Sequence, residues 1–445
     1  MRIRFLFFTA TYLLIAVSIS AQSWKFDFGS GEAVKGYTKI TPASRYDELT
    51  GYGFLQNSSI HAIQTKTGNG LSRDLLTSTQ PFFFSVKVPE GNYTVKIVLG
   101  DADATSATTV RAENRRLFLP HITTKKGELV TRTFTVHVRD SLIRNAEKKI
   151  TGRVKLKSRE VNYFHWDDQL TLEFNDSLIK VCAVEITALT NATTIFLTGN
   201  STVVDQDKEP WAAWGQMFPS FFEPQNICVA NYAESGETLK AFKGEKRLEK
   251  IMSRANEGDY LFIEFAHNDQ KPGSSHLDPF TTYKSTLKEW IAEARTHKMI
   301  PVLVTSMHRR NFDAEGHIVN TLAEYPEAMR QTAKEENTAL IDLNAMSKTL
   351  YEAWGTERSL KAFVHFPAHS FPGQDSALKD NTHFTTYGAY ELALCVLKGV
   401  REAGLPISKY IKKNIPVFNP AMPDPWEKWY WPLSPLAASV KPDGN

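Results

Sequence analysis

The feature that most constrains this chain is a change of period near Thr193. Beyond it, the short apolar runs TIFLTG, NICVANY, YLFIEFAH, IPVLVTS and TALIDL alternate with stretches of helical spacing. Strands apolar on both faces need cover on both, and strands separated by helices run parallel, so this half predicts a three-layer α/β domain with a parallel sheet flanked by helices. Its last helix repeats apolar residues at Ala389, Leu392, Ala393, Val396, Leu397 and Val400, the spacing of one buried helical face. Before the change, from Trp24 to about Leu189, runs such as FFFSVKVP, NYTVKIVLG, LVTRTFTVHV and QLTLEFN alternate between Gly, Asn and Asp turns, which predicts an all-β sandwich. The expected organisation is a sandwich over 22–190, an α/β domain over 191–410 and a Pro- and Trp-rich arm over 411–445. Trp426, Trp429 and Trp431 of the arm are read as packing residues rather than a sugar platform.

Residues 1–21 stand apart. Arg2 and Arg4 precede an apolar run from Phe5 to Val17 that ends in Ser18, Ser20 and Ala21, the layout of a cleaved signal peptide. The run is shorter than the ~20 residues that span a bilayer, so no membrane span is expected after cleavage, and the protein is expected to be exported to a periplasm or the extracellular space. With 52 basic against 49 acidic side chains, the chain has no large excess of positive charge to bind nucleic acid. Cys182, Cys228 and Cys395 lie inside apolar segments without metal-ligand spacing, and are read as buried free thiols. No His-Glu-x-x-His or similar cluster occurs, so neither metal nor cofactor is expected.

The chemistry-bearing residues fall at the carboxyl ends of the predicted parallel strands, the edge where open α/β sheets bind ligands. TIFLTG runs into Asn200-Ser201-Thr202, which places Ser201 just past a strand. A serine hydroxyl needs a base to take its proton, and Asp380-Asn381-Thr382-His383 supplies an imidazole with a carboxylate three residues before it, in an expected loop ahead of the last helix. Acyl transfer also needs donors aimed at the developing oxyanion. Gly236, in the turn after NICVANY, offers an unobstructed N–H, and Asn268, after YLFIEFAH, offers a side-chain amide; the Ser201 N–H is a third donor. There is no Gly-x-Ser-x-Gly, so an ordinary α/β-hydrolase elbow is not expected.

GNSTV, AESGET, AHND and DNTH resemble blocks I, II, III and V of the SGNH, or GDSL, hydrolases. The longer strings GNSTVVDQDKEPWAAWGQMFPSFF, NYAESGETLKAF, HRRNFDAEGHIVNTLAEYPEAMR and NTHFTTYGAYELA resemble rhamnogalacturonan acetylesterases of carbohydrate esterase family twelve. The likeness runs from about Thr193 to Gly404. It implies an SGNH hydrolase fold, Ser201, Asp380 and His383 as catalytic residues, and Ser201, Gly236 and Asn268 as the oxyanion hole. FDFGSG, TGYGF and CAVEIT resemble the galactose-binding-like sandwich found ahead of some of these esterases. Two positions depart from the pattern: Asn200 stands where the family has Asp, and Ala266 where its third block has Gly.

The resemblance implies a serine esterase that removes O-acetyl groups from a pectic polysaccharide. Another acetylated glycan such as xylan, or a glycan-binding protein without activity, is the alternative. Lys271, Arg309, Arg310 and His369 are candidate contacts to an acidic sugar. Asn200-Ser201-Thr202 is also an N-glycosylation acceptor whose glycan would cover the nucleophile, so a host without such glycosylation, a bacterium, is expected.

Overall fold

The computed structural model describes residues 22–55, 59–436 and 441–442; the segment read as a signal peptide lies outside them. Among the described residues no helix is long and apolar enough to cross a membrane.

The N-terminal half is all β, organised on one long strand, Gln169–Ala188. Its first part, Gln169–Phe174, pairs with Phe82–Lys87 and with Ser106–Ala112; its last part pairs with Gly91–Gly100 and Ser23–Phe28. Register shifts at Asn175/Leu178 and Val181/Ala183, with Asp176 at φ 134°, bend the strand so that one segment serves both sheets. QLTLEFN and CAVEIT, two separate runs in the sequence, are therefore one strand. The space between the sheets is filled by Phe26, Phe28, Phe54, Phe82, Phe84 and Phe174, whose rings meet mostly edge to face.

The second half is the predicted α/β domain. Five parallel strands lie in the order Ile227–Asn231, Thr193–Thr198, Tyr260–Ile263, Ile300–Val304, Ala339–Ile341. The chain reverses its direction of winding between the second and third of these, and such a switch point opens a crevice at the carboxyl edge. The last helix, Thr386–Glu402, buries all six apolar residues of its predicted face. Cys182, Cys228 and Cys395 are buried and unpaired, as expected.

The halves are joined by buried charge. The hairpin tip Glu113–Arg116 of the sandwich enters the α/β domain, where Arg115 pairs with Glu209 at 2.6 Å and Arg116 with Asp205 at 2.8 Å. Arg115 also donates to the carbonyls of Gln206 and Trp211. The C-terminal arm returns over both halves: Trp431 stacks on the Arg111 guanidinium and donates to Glu209, while Trp429 donates to Thr386. Trp429 and Trp431 thus have the packing role expected of them, whereas Trp426 is 39% exposed.

Candidate active site

Ser201 sits in a helical turn directly after the strand Thr193–Thr198, with the N–H groups of Val203 and Val204 both donating to the Asn200 carbonyl. A Cβ at Gly199 would overlap Val203 and come within 3.0 Å of the Glu264 carbonyl, so the turn can lie this close to the neighbouring strand only with glycine there. Gln206 donates to the Ser201 carbonyl at 2.8 Å and holds the turn from the other side.

His383 Nε2 lies 2.8 Å from Ser201 Oγ, and its Nδ1 lies 2.7 Å from Asp380 Oδ2. All three residues are buried. The expected loop carrying Asp380 and His383 is instead the strand Leu378–Phe384, antiparallel to Phe363–Phe366. The correction has a local cause. The pairing jumps between Phe363 and His365, so 380–383 bulge out of the ladder, and Asp380 Oδ1 closes the bulge by accepting from the N–H groups of Thr382 and His383. Burial alone would raise the Asp380 carboxyl, but the His383 hydrogen bond and charge, with those two N–H groups, outweigh it and hold the carboxyl far below its usual range. Trp211 Nε1 adds a longer contact to Asp380 at 3.4 Å.

The other two motifs arrive at the same edge. Gly236 has φ 81°, a left-handed conformation that glycine adopts without strain, and lies in the turn after Ile227–Asn231; Glu234 N–H ties that turn to the Gly199 carbonyl. Asn268 uses one amide hydrogen on the Glu237 carbonyl at 3.1 Å, leaving the second for a ligand. Among the described residues, the N–H groups of Ser201 and Gly236 donate to no protein acceptor. Gly236, Asn268 and Lys271 line one cavity of about 440 Å³ together with Lys157 of the sandwich. A second cavity, of about 430 Å³, lies between the halves, with Asn114, Tyr163 and Phe164 facing Gln206, Trp211 and Ser235.

The four candidate sugar contacts separate. Lys271 stands on the cavity wall with Gly236 and Asn268, and Arg309, whose charge acts on it, donates to Thr321 and, at 3.4 Å, to the His267 carbonyl. Burial lowers the Lys271 ammonium, with the charges of Arg309 and Lys441 adding to the effect. Arg310 is instead a brace for the triad strand: its N–H donates to the Asn381 carbonyl and its guanidinium to Ser359 and Thr356. His369 is exposed on the loop after Phe366, its N–H bonded to Gln374, and no described contact joins it to the triad.

The Asn200 departure has a structural reading. Its Oδ1 accepts from the Thr202 N–H at 3.1 Å, which orients the amide, and it lies 2.9 Å from the Thr202 hydroxyl; that hydroxyl is also 3.1 Å from the buried carboxyl of Glu264. Burial raises the Glu264 carboxyl, so an uncharged Asn200 avoids placing a second carboxylate beside it. Asn200 is fully buried, leaving no room for a glycan in the folded protein. Gln206 and Trp211 lie inside the string that follows Ser201, and Glu264 inside the apolar run YLFIEFAH, but residue type and spacing assign none of them a role. Their roles depend on which segments the sheet brings together.

Both halves match known families. Residues 24–147 match the beta-agarase/YXIM esterase-like, galactose-binding domain-like family, and residues 196–389 match the GDSL-like lipase/acylhydrolase family. A rhamnogalacturonan acetylesterase, RhgT of Bacillus subtilis, is 42% identical over 49% of this chain and 93% of its own length. The uncharacterized esterase YxiM of the same organism is 26% identical over 77% of this chain and 84% of its own. The crystal structure of YxiM superposes with a TM-score of 0.45 and 25% identity, covering 86% of this chain and 99% of that one. With Ser201, His383 and Asp380 in hydrogen-bonded sequence at the switch point of its sheet, the chain belongs to the GDSL-like acylhydrolase family, preceded by a galactose-binding-like domain.

Proposed function

We propose that the protein is an acetylesterase that removes O-acetyl groups from a pectic polysaccharide, acetylated rhamnogalacturonan, through an acyl-enzyme. The observation that carries this reading is the continuous chain from Ser201 Oγ through His383 to Asp380, at 2.8 and 2.7 Å. Ser201 Oγ attacks the acetyl carbonyl as its proton passes to His383 Nε2, and the ionised Asp380 holds Nδ1–H and stabilises the imidazolium. The Ser201 and Gly236 N–H groups and the Asn268 amide take the oxyanion. The sugar hydroxyl leaves with the proton from His383. Water, deprotonated by the same imidazole, then releases acetate and restores Ser201.

The choice of glycan is supported by the RhgT relative and by Lys271 on the cavity wall, with the Arg309 charge close enough to act on its ammonium. The aromatic side chains of Tyr163, Phe164 and Trp211 in the cavity between the halves suit the apolar face of a sugar ring. Acetate release from acetylated rhamnogalacturonan, xylan and mannan, by wild type and Ser201→Ala, tests the reading. Preference for rhamnogalacturonan, abolished in the variant, is expected; preference for xylan would reassign the substrate, and release undiminished in the variant would refute the mechanism. Lys271→Ala should lower the ratio of activity on the acidic polymer to that on a neutral aryl acetate. The Arg-flanked apolar run at 5–17 supports export from a bacterial cell, to be checked by N-terminal sequencing of protein recovered outside the cytoplasm.

A further inference from the structure

We propose that Lys157 and Arg159, both from the sandwich half, set the direction and strength of the Gly236 oxyanion donor by loading the Ser235 carbonyl with two cationic hydrogen bonds. This rests on the esterase reading and assigns to the N-terminal domain a part in the catalytic site.

Ser235 O accepts from Lys157 Nζ at 2.7 Å and from Arg159 Nη2 at 2.7 Å. The carbonyl of Ser235 and the N–H of Gly236 belong to one peptide unit, which is planar, and in the trans form its C=O and N–H point to opposite sides. Drawing the carbonyl toward the sandwich therefore aims the N–H away from it. Two cations on a carbonyl oxygen also withdraw electron density through the amide and make its N–H a stronger donor, because linked hydrogen bonds polarise one another and charged donors do so most. The effect is largest where water is excluded, and Ser235 is 5% exposed.

Both cations are anchored. Arg159 grips Glu234 Oε1 through Nε at 3.0 Å and Nη2 at 2.7 Å, and Lys157 pairs with Glu237. The backbone N–H of Lys157 donates to Glu160, which takes a two-pronged contact from the buried Arg247 of the α/β domain at 2.9 and 2.6 Å. Burial raises the Glu234 and Glu237 carboxyls, against the pull of the cations beside them.

The test uses the full chain and 4-nitrophenyl acetate, a small neutral ester that makes no polysaccharide contact. Lys157→Met is expected to lower kcat about tenfold, less than the 10²–10³ typical of deleting an oxyanion donor outright, with KM nearly unchanged. Lys157→Arg should recover most of the loss. The paired variant Lys157→Met/Glu237→Gln removes the stranded buried carboxylate, so it guards against a folding defect and should remain slow. Wild-type kcat in the paired variant would overturn the proposal, since the lysine would then serve only to balance Glu237. So would a loss of kcat in Lys157→Met that Lys157→Arg fails to recover. Failure of the esterase reading has a different signature: wild type would not turn over the ester, or Ser201→Ala would turn it over equally well.

Discussion

At the scale of single residues, the site depends on a few fixed donors and one proton path. Asn268→Ala removes an amide held by the Glu237 carbonyl, and kcat should fall by about 10²–10³ with the melting temperature little changed. Asp380→Asn presents an amide where Nδ1–H needs an acceptor; a fall of about 10⁴ in kcat is expected, and a much smaller one would refute the orienting role. Asn200→Asp tests the pairing of Asn200 with Glu264. Two buried carboxyls sharing the Thr202 hydroxyl raise each other, so the folded form would hold protons that the unfolded chain gives up, and stability would fall as pH rises. The melting penalty of Asn200→Asp should therefore be larger at about pH 8 than at about pH 5, and equal penalties would rule the explanation out.

At the scale of elements, the last helix both supports the triad strand and anchors the arm. Glu391 lies on its buried face and accepts from the Asp424 N–H at 3.1 Å. Burial, with the charge of Asp424, pushes its carboxyl from 4.5 up to about 8. The folded protein thus keeps a proton that the unfolded chain loses near 4.5, so this group's contribution is full below that value and is lost as pH rises through about 8. Glu391→Gln can keep the hydrogen bond without the charge. Its thermal stability should decline less than that of wild type between these limits, measured by melting across a pH series.

At the scale of the whole molecule, the sandwich and α/β halves share their most buried ion pairs. Removing one partner of such a pair strands the other, which typically costs about 3–5 kcal/mol. Arg116→Met should be destabilised by that order, and Arg116→Met/Asp205→Leu should recover much of it. With charges at the seam, the cationic clamp on Ser235 and the arm over both halves, unfolding should appear as one calorimetric transition. Two well-separated transitions would show that the halves are energetically independent.

The sequence by itself determined the two architectures, and it singled out the parallel-strand edge as the candidate place of chemistry, with Ser201, Gly236, Asn268, Asp380 and His383 as the residues proposed to act there. Periodicity, turn residues and short motifs are local, and a motif carries its chemistry in residue type and spacing. Tertiary structure alone decided that Asp380 and His383 sit in a strand bulge, that Arg310 braces that strand while His369 lies apart, and that Glu264 makes an uncharged Asn200 suitable. It also decided that Lys157 and Arg159, far from any motif, reach the peptide carrying the Gly236 donor. Those facts depend on contacts between segments tens to hundreds of residues apart, where burial and the pairing of opposite charges select partners that no local pattern encodes.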